Sequence, residues 1–600
     1  MKTIFDTVQL NAPKRSKFDL SHEWKGTIPF GALIPTMCQE VLPGDAFRVD
    51  TNTLARFQAL LSPLMHRVNL YTHYFYVPNR IITRQWTRFI SYQGNRPRES
   101  TFQSILPYFT IQGAKAQGTN GGAANALKDG SLLDYLGFPT APNDVTFSAD
   151  GTMDLLRINA LFPLAYQRVW NDFYRDPNFT QPMFSEDSTS GVDPDALLKL
   201  DSIVGQITSQ VIPNPEQSSP LLTITALEAL LTLRWRSWEK DYLTVAQPHA
   251  QLGNSDVRVP ITIPANSLGG GGSIPGTDTT IGRTGGIQYP GSANNPSDGG
   301  SFTVSALRVA RALKLWLENS YRGGSRYAEQ LWNHWMVASD DATIGQAQYL
   351  GGAIQPIVIS EVVTTAPATP TQTNIPPASL VGHGISYSSS AGFTKKFKEH
   401  GVVIAITSVV PRTAYLYSMP RGFMRMEPLD FAFPEFAQLG EQPVLGSEVM
   451  FKLSGNTSLT APNYTNIPVT ANYHGITSRF PMGFVAPTSY LGFNLQNDQA
   501  EANTAGWGFQ GRYSEYKYAP DTVHGLFRNS QSFWHLGRML TPNIALNNAF
   551  VTSNPRMDVF SVLPNNGGAA GQYNQHPINL QVWNRVSVIR SLPYYNRPML

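Results

Sequence analysis

The segment Arg234-Trp-Arg-Ser-Trp-Glu-Lys240 interleaves cations with aromatic rings. Arginine beside tryptophan can hold unpaired bases by charge plus stacking. Arg234, Trp235, Arg236 and Lys240 are therefore candidate DNA-facing residues. A structural reading competes and is favoured. The spacing predicts a helix over 225–243, which would put Trp235 and Trp238 on one buried face with the charges at its edge. Elsewhere the chemistry is thin. Glu399 precedes His400 at an expected strand entrance, where a satisfied structural pair is favoured over an acid–base dyad. Asp340 and Asp341 could ligate a hard cation, but a turn or cap suits them better. Gly269 to Gly272 lacks the lysine and hydroxyl that follow in a phosphate-binding loop and reads as linker. There is no Walker A or H-E-x-x-H pattern and no G-x-S-x-G elbow. The eleven histidines are scattered, none at zinc-like spacing. No catalytic set, cofactor or metal site is expected.

The elements that would have to position such residues are widely spaced. Asn69 to Val77 alternates, with Leu70, Thr72, Tyr74 and Tyr76 on one face and Tyr71, His73, Phe75 and Val77 on the other. Both faces are largely apolar, which predicts a strand covered on both sides. Gly401 to Val410 is β-branched and reads as a second buried strand, and Val582 to Leu592 as a late one. Helices are expected near 154–176, 225–243 and 303–337. This is not the regular strand–helix rhythm of a doubly wound sheet. Few, distant strands with long inserts suit a two-sheet jelly roll with enlarged loops, although the pattern alone leaves an ordinary α+β enzyme open. Leu252 to Ser301 is glycine-rich, and Thr364 to Ser390 is rich in Thr, Pro and Ser; both read as exposed loop.

Composition narrows the function classes. Only 14% of the 600 residues are charged, against about 25% in an average soluble protein, while 11% are aromatic. Interface cores share this bias: few charges, many Tyr, Trp and Phe. The net charge is +3, and Met1 to Lys25 is only mildly basic. A protein that condensed DNA alone would carry a strong basic stripe. Cys38 is the single cysteine, which excludes an internal disulfide or cysteine-based zinc cluster. It is expected to be a small buried apolar residue, compatible with assembly in a reducing cytoplasm. No charged start followed by an apolar run marks a signal peptide. The aliphatic stretch near Val402 to Val410 is too short to span a bilayer.

The most specific string is Thr303 to Gly352. Leu307, Ala310, Leu313 and Leu317 recur as a buried helical stripe requires. Gly323 and Gly324 then end the helix, since glycine accepts the left-handed C-cap backbone at little cost. Arg322 and Arg326 flank them, and Tyr349 to Gly352 reads Y-L-G-G. This order of features resembles the major capsid protein of microviruses, of the gokushovirus type. Collinear segments extend the resemblance from about residue 30 onward: LIPTMCQEVLPGDAFRVD, PLMHRVNLYTHYFYVPNRII, INALFPLAYQRVWNDFYRDPN, WEKDYLTVAQP, DFAFPEFAQLGEQPV, GLFRNSQSFWHL and SLPYYNRPML. Lys240 stands where a histidine is usual, an arginine is missing before Tyr349, and the VVPRTAY segment reads Pro411 at a sheet-like position. These departures suggest a divergent branch.

The resemblance implies a mainly β fold: an eight-stranded antiparallel jelly roll with long loop insertions and several helices, 1–600 forming one capsid subunit. It implies a large insertion, placed within 179–300 and including the glycine-rich loop 252–301, that builds a surface protrusion at a threefold axis. It also implies self-assembly into a T=1 icosahedral shell around circular single-stranded DNA, in the cytoplasm of a bacterial host. Partners would be a separate small basic DNA-binding protein, spike or pilot and scaffolding proteins, and a host-cell surface receptor, with no membrane insertion. Arg322, Gly323, Gly324 and Arg326 would be turn and interface residues, the arginines pairing with carboxylates within or between subunits. The main rival is a carbohydrate-binding or carbohydrate-cleaving β-sandwich, which needs two carboxylates at a fixed separation; no segment would build them. A secreted surface-layer protein is disfavoured by the missing signal peptide.

Overall fold

The computed structural model describes residues 15–83, 86–90, 108–110, 127–140, 157–180, 210–212, 222–224, 230–248, 308–309, 311–316, 319, 327–336, 345–363, 380–426, 428–438, 440–451, 506–540, 546–560 and 576–595. Contacts divide the chain into two units. Unit 1 is Met1–Pro248 with Asp341–Leu600, and unit 2 is His249–Asp340.

Unit 1 is mainly β. It begins with β1 (Ser16–Asp19), β2 (His22–Ile28), β3 (Ile34–Val41), β4 (Ala46–Phe57) and β5 (Val68–Pro78). Four short strands follow: β6 (Tyr108–Thr110), β7 (Arg157–Asn159), β8 (Gln210–Ile212) and β9 (Leu222–Ile224). The later strands are β10 (Gln348–Val363), β11 (Leu380–Lys396), β12 (Gly401–Pro411), β13 (Glu441–Leu445), β14 (Gly506–Gly511) and β15 (Ile578–Arg590). Nine strands form one antiparallel sheet in the order β1-β15-β4-β11-β10-β5-β12-β3, with β2 also paired to β15. The long β10 and β11 curl it. Residues 348–357 of β10 pair with β5, 358–363 pair with β11, and 385–396 of β11 pair with β4.

The curl brings two halves face to face over a shared interior. In β4, Phe47, Val49, Thr51, Thr53, Ala55 and Phe57 are buried, while Arg48, Asp50 and Arg56 are exposed. That two-residue period is what a strand with one wet face requires. β15 alternates likewise, burying Ile578, Leu580, Val582, Asn584, Val586 and Val588. Opposite them, Met37, Val41, Tyr74, Tyr76, Val403 and Ala405 join Phe47, Val49, Phe393, Phe397, Val586 and Val588 in one cluster. Tyr76 meets Phe397 with ring centroids 4.5 Å apart, and Tyr74 meets Phe393 at 5.3 Å. A polar chain crosses the same space. The Tyr74 hydroxyl donates to Thr51 at 2.5 Å, and Thr51 donates to Asn584 Oδ1 at 3.1 Å. Asn584 Nδ2 then donates to the Thr36 carbonyl at 3.1 Å. Buried polar groups that satisfy one another this way fix register as well as contact.

β12 is buried at every position. The back face of β5 and β12 is covered by the helix Leu161–Val169, whose Leu164, Ala165, Tyr166 and Val169 cluster with Phe75, Val77, Ile404 and Ile406. The two-sided cover expected for 69–77 is present. Pro411, which has no N–H to give a ladder, ends β12 opposite Val68. Two expectations need correction. Thr364–Ser390 was expected to be loop, but its end from Leu380 lies in β11. Gly384 suits that strand because a Cβ there would stand 2.6 Å from the Phe57 ring. The 154–176 helix begins only at Leu161, after β7, and ends in a π turn, Trp170–Tyr174.

In unit 2 the described residues are helical at 308–309, 311–316, 319 and Tyr327–Trp335. Trp316 stacks on His334 at 5.9 Å. Leu313, expected to be buried, is 44% exposed. Leu307, Ala310, Leu317, the turn residues Arg322, Gly323, Gly324 and Arg326, the pair Asp340–Asp341 and the loop from 252 to 301 lie outside the described residues.

Candidate functional site

Residues 234–238 are extended, which corrects the helix expected over 225–243. Backbone pairing on both sides decides it. Leu33 N–H donates to Arg234 O at 2.9 Å, Arg236 N–H to Gly31 O at 2.7 Å, Ser553 N–H to Arg236 O at 2.8 Å and Trp238 N–H to Val551 O at 2.9 Å. Gly31 permits this approach, with φ +74° and the Ser553 carbonyl 2.6 Å from where a Cβ would sit. A two-residue period then puts Arg234, Arg236 and Trp238 on one side. The Arg234 guanidinium lies 4.2 Å over Trp170 and donates to Gln167 Oε1 at 2.7 Å. Burial lowers its pKa to about 10, so it stays charged at neutral pH. Arg236 lies 3.7 Å over Tyr71 and donates to Ser408 at 3.3 Å. Both cations stack on this chain's own rings. Trp235 is half-buried against the main core, Trp238 is buried, and Lys240 is exposed.

The other chemical candidates resolve into structural contacts. Glu399 pairs with Arg80 at 2.7 Å, while the His400 ring meets Trp86 edge-on at 5.5 Å. Cys38 packs on the core as a half-buried residue, and burial pushes its thiol pKa up. A polar hollow is lined by Asp129, Asp134 and His576. Its carboxylates already accept from Thr140 and from Gly130 N–H, each at 2.8 Å. Burial lowers the pKa of His576, and the same cause lowers His73 to about 4. Among the described residues no group of His, Cys, Asp and Glu gathers as a metal site.

What sequence reasoning missed is a surface. Between Pro420 and Ala437 the chain runs through short 3-10 turns, Arg421–Met424, Pro428–Asp430 and Pro434–Phe436, with almost every described residue exposed. A buried ion-pair network pins this arm. Arg421 reaches Glu448 at 3.3 Å and donates to the Pro443 carbonyl at 2.9 Å. Arg425 pairs with Glu515 at 3.2 Å while lying 4.2 Å over Tyr516. Gln442 donates to Glu515. The Tyr242 hydroxyl donates to Glu448 at 2.6 Å and Leu445 N–H at 3.0 Å. Burial raises the Glu448 pKa, with Arg421 and these donors opposing it. The arm's two arginines are thus turned inward, and Phe423, Met426, Phe431 and Phe433 point out. The available signal was the string GFMRMEPLDFAFPEF: dense in aromatics, yet cut by prolines and without strand or helix period.

The whole-chain comparisons agree with a surface-driven role. A family model described as "Capsid protein (F protein)" matches residues 6–600. This chain belongs to that family. Capsid protein VP1 of Chlamydia phage 1 is 27% identical over 678 residues, covering 100% of this chain and 98% of the relative. Capsid protein VP1 of Bdellovibrio phage phiMH2K is 26% identical, covering 90% of this chain and 88% of its own. Capsid protein VP1 of Spiroplasma virus 4 is 22% identical over 76% of this chain. The likeness read from the early, middle and late segments is therefore correct: this is a microvirus major capsid protein, structural and not enzymatic. Capsid proteins of this family build a multimeric shell from copies of one chain. Membership over nearly the whole length displaces the carbohydrate-active alternative. No helix among the described residues is long and apolar enough to cross a membrane.

Proposed function

We propose that this capsid protein closes into a T=1 icosahedral shell around a circular single-stranded DNA genome, with an eight-stranded jelly roll as the tile. The carrying observation is strand order. One half of the sheet reads β2-β15-β4-β11 and the other β3-β12-β5-β10. The chain alternates between the halves through β2, β3, β4 and β5 and again through β10, β11, β12 and β15, all pairs antiparallel. That winding supports the jelly-roll reading, in which eight strands likewise pack as two antiparallel sheets. Contacts between unlike surfaces close into rings and shells when the rotation fits, and the low charge of this chain suits such contacts.

Genome neutralisation falls to other molecules in this reading. The chain carries a net charge of +3, and Arg234 and Arg236 are stacked on Trp170 and Tyr71. Lys240 is the exposed cation of that segment. A separate small basic protein supplies most of the charge, scaffolding and spike or pilot proteins assist assembly and delivery, and the insertion within 179–300 meets the host receptor at a threefold protrusion. Arg322 and Arg326 act at a subunit contact around Gly323 and Gly324. The test is cryo-electron microscopy of purified particles together with extraction of their nucleic acid. A closed T=1 shell holding exonuclease-resistant, single-strand-nuclease-sensitive DNA is expected. An open filament, or a shell of another triangulation, contradicts the proposal.

A further inference from the structure

Six side chains of the pinned arm and its neighbouring turn stand out from unit 1: Phe423, Met426, Phe431, Phe433, Tyr516 and Tyr518. Their exposure runs from 40% at Phe433 to 85% at Met426. At roughly 200 Å² for each side chain, they present on the order of 700 Å² of mostly apolar surface. The largest patch on a typical monomer is about 300–600 Å², and a stable interface covers about 800 Å² on each partner. The patch is also held together: Arg425 lies over Tyr516, and the N–H groups of Ala432 and Phe433 donate to Tyr516 at 3.4 Å and Tyr513 at 3.3 Å. Met426 N–H donates to Asp430 at 2.9 Å. A backbone already held by such contacts loses less entropy on docking.

We infer that this arm is a docking surface for a second copy of this chain, presented by the Arg421–Glu448 and Arg425–Glu515 pairs. The inference rests on the shell reading. Three observations favour a copy over another occupant. The arm's cations are spent inward on Glu448 and Glu515 while Asp430 and Glu435 are exposed, so its outward charge opposes a phosphate backbone or anionic lipid headgroup. Its area is near what one partner of a stable protein interface contributes. The chain's own composition, 14% charged and 11% aromatic, matches a patch dominated by rings.

The test replaces Phe423 with p-benzoylphenylalanine and irradiates purified particles and dilute free subunit. Peroxide oxidation of Met426 is followed in the wild-type protein in both states. The expected result is a covalent chain–chain dimer in particles and none in free subunit, with Met426 oxidised at least about tenfold more slowly in particles. An adduct to a different protein, no adduct, or equal oxidation in both states overturns the inference while leaving the shell intact. Failure of the chain to enter particles at all overturns the shell reading and this one with it.

Discussion

The interior between β4–β15 and β5–β12 and the arm at 420–437 use the same residue types to opposite ends. In the interior, Phe47 and Tyr76 meet Phe397 ring to ring, Tyr74 meets Phe393, and all are closed to water. In the arm, Phe423, Phe431 and Phe433 are open to water. Hydrophobic burial stabilises the subunit only where the chain covers its own surface. The difference teaches that aromatic content in this protein serves two separate equilibria, folding and association, and that the buried ion pairs at Glu448 and Glu515 join them.

The contrast can be broken at its strong end first. Phe397→Ala removes a ring packed on Tyr76 at 4.5 Å and Phe47 at 5.6 Å. Truncating such a buried phenylalanine costs about 3–5 kcal/mol, and chemical denaturation of the subunit should show about that loss. Glu448→Gln comes next. Its carboxylate accepts from Arg421, the Tyr242 hydroxyl and Leu445 N–H. An amide turns an NH₂ toward one of them, so a loss of about 1–3 kcal/mol is expected, as for a buried donor left without its acceptor.

Acid probes the outer cover of the interior. Burial holds His73 at a pKa of about 4, against 6.5 unperturbed, with Tyr174 bonded to its Nδ1 at 2.7 Å. His66, His535 and His576 are shifted in the same direction by the same cause. Because these folded-state values lie below the unfolded one, the unfolded chain binds more protons across this window. Their stabilisation is full above pH ~6.5 and is lost as pH falls through each folded-state value, about 4 for His73. Lowering pH from 7 to 5 should cost about 1 kcal/mol through His73 after discounting for partial exposure, measured as a fall in Tm. A Tm unchanged or raised over that range contradicts the buried, neutral histidine. The smallest effect on folding belongs to the arm. Phe423→Ser with Met426→Ser should change subunit stability by under about 0.5 kcal/mol, as surface substitutions do.

Strands with local period were legible in the sequence. β5, β12 and β15 could be read from alternation or β-branching. Their pairing could not, because partners such as Thr51 and Asn584 stand 533 positions apart and no local pattern encodes that register. The 234–238 segment misled because two tryptophans three residues apart imitate a helical face, while the pairing that holds it extended comes from Gly31–Leu33 and Val551–Ser553. In β11, Gly384 looks like loop until the Phe57 ring above it is known. The arm was invisible for a simpler reason: its composition is that of a core, and exposure is a property of the fold.

The central claim is that folding and association draw on different aromatic surfaces of one tile. Sedimentation of assembled material from the Phe423→Ser/Met426→Ser protein, alongside the melting of its free subunit, tests it most directly. The account predicts a subunit that melts as wild type does and a loss of at least about tenfold in particle yield. Wild-type particle yield, or a subunit as destabilised as Phe397→Ala, would contradict it.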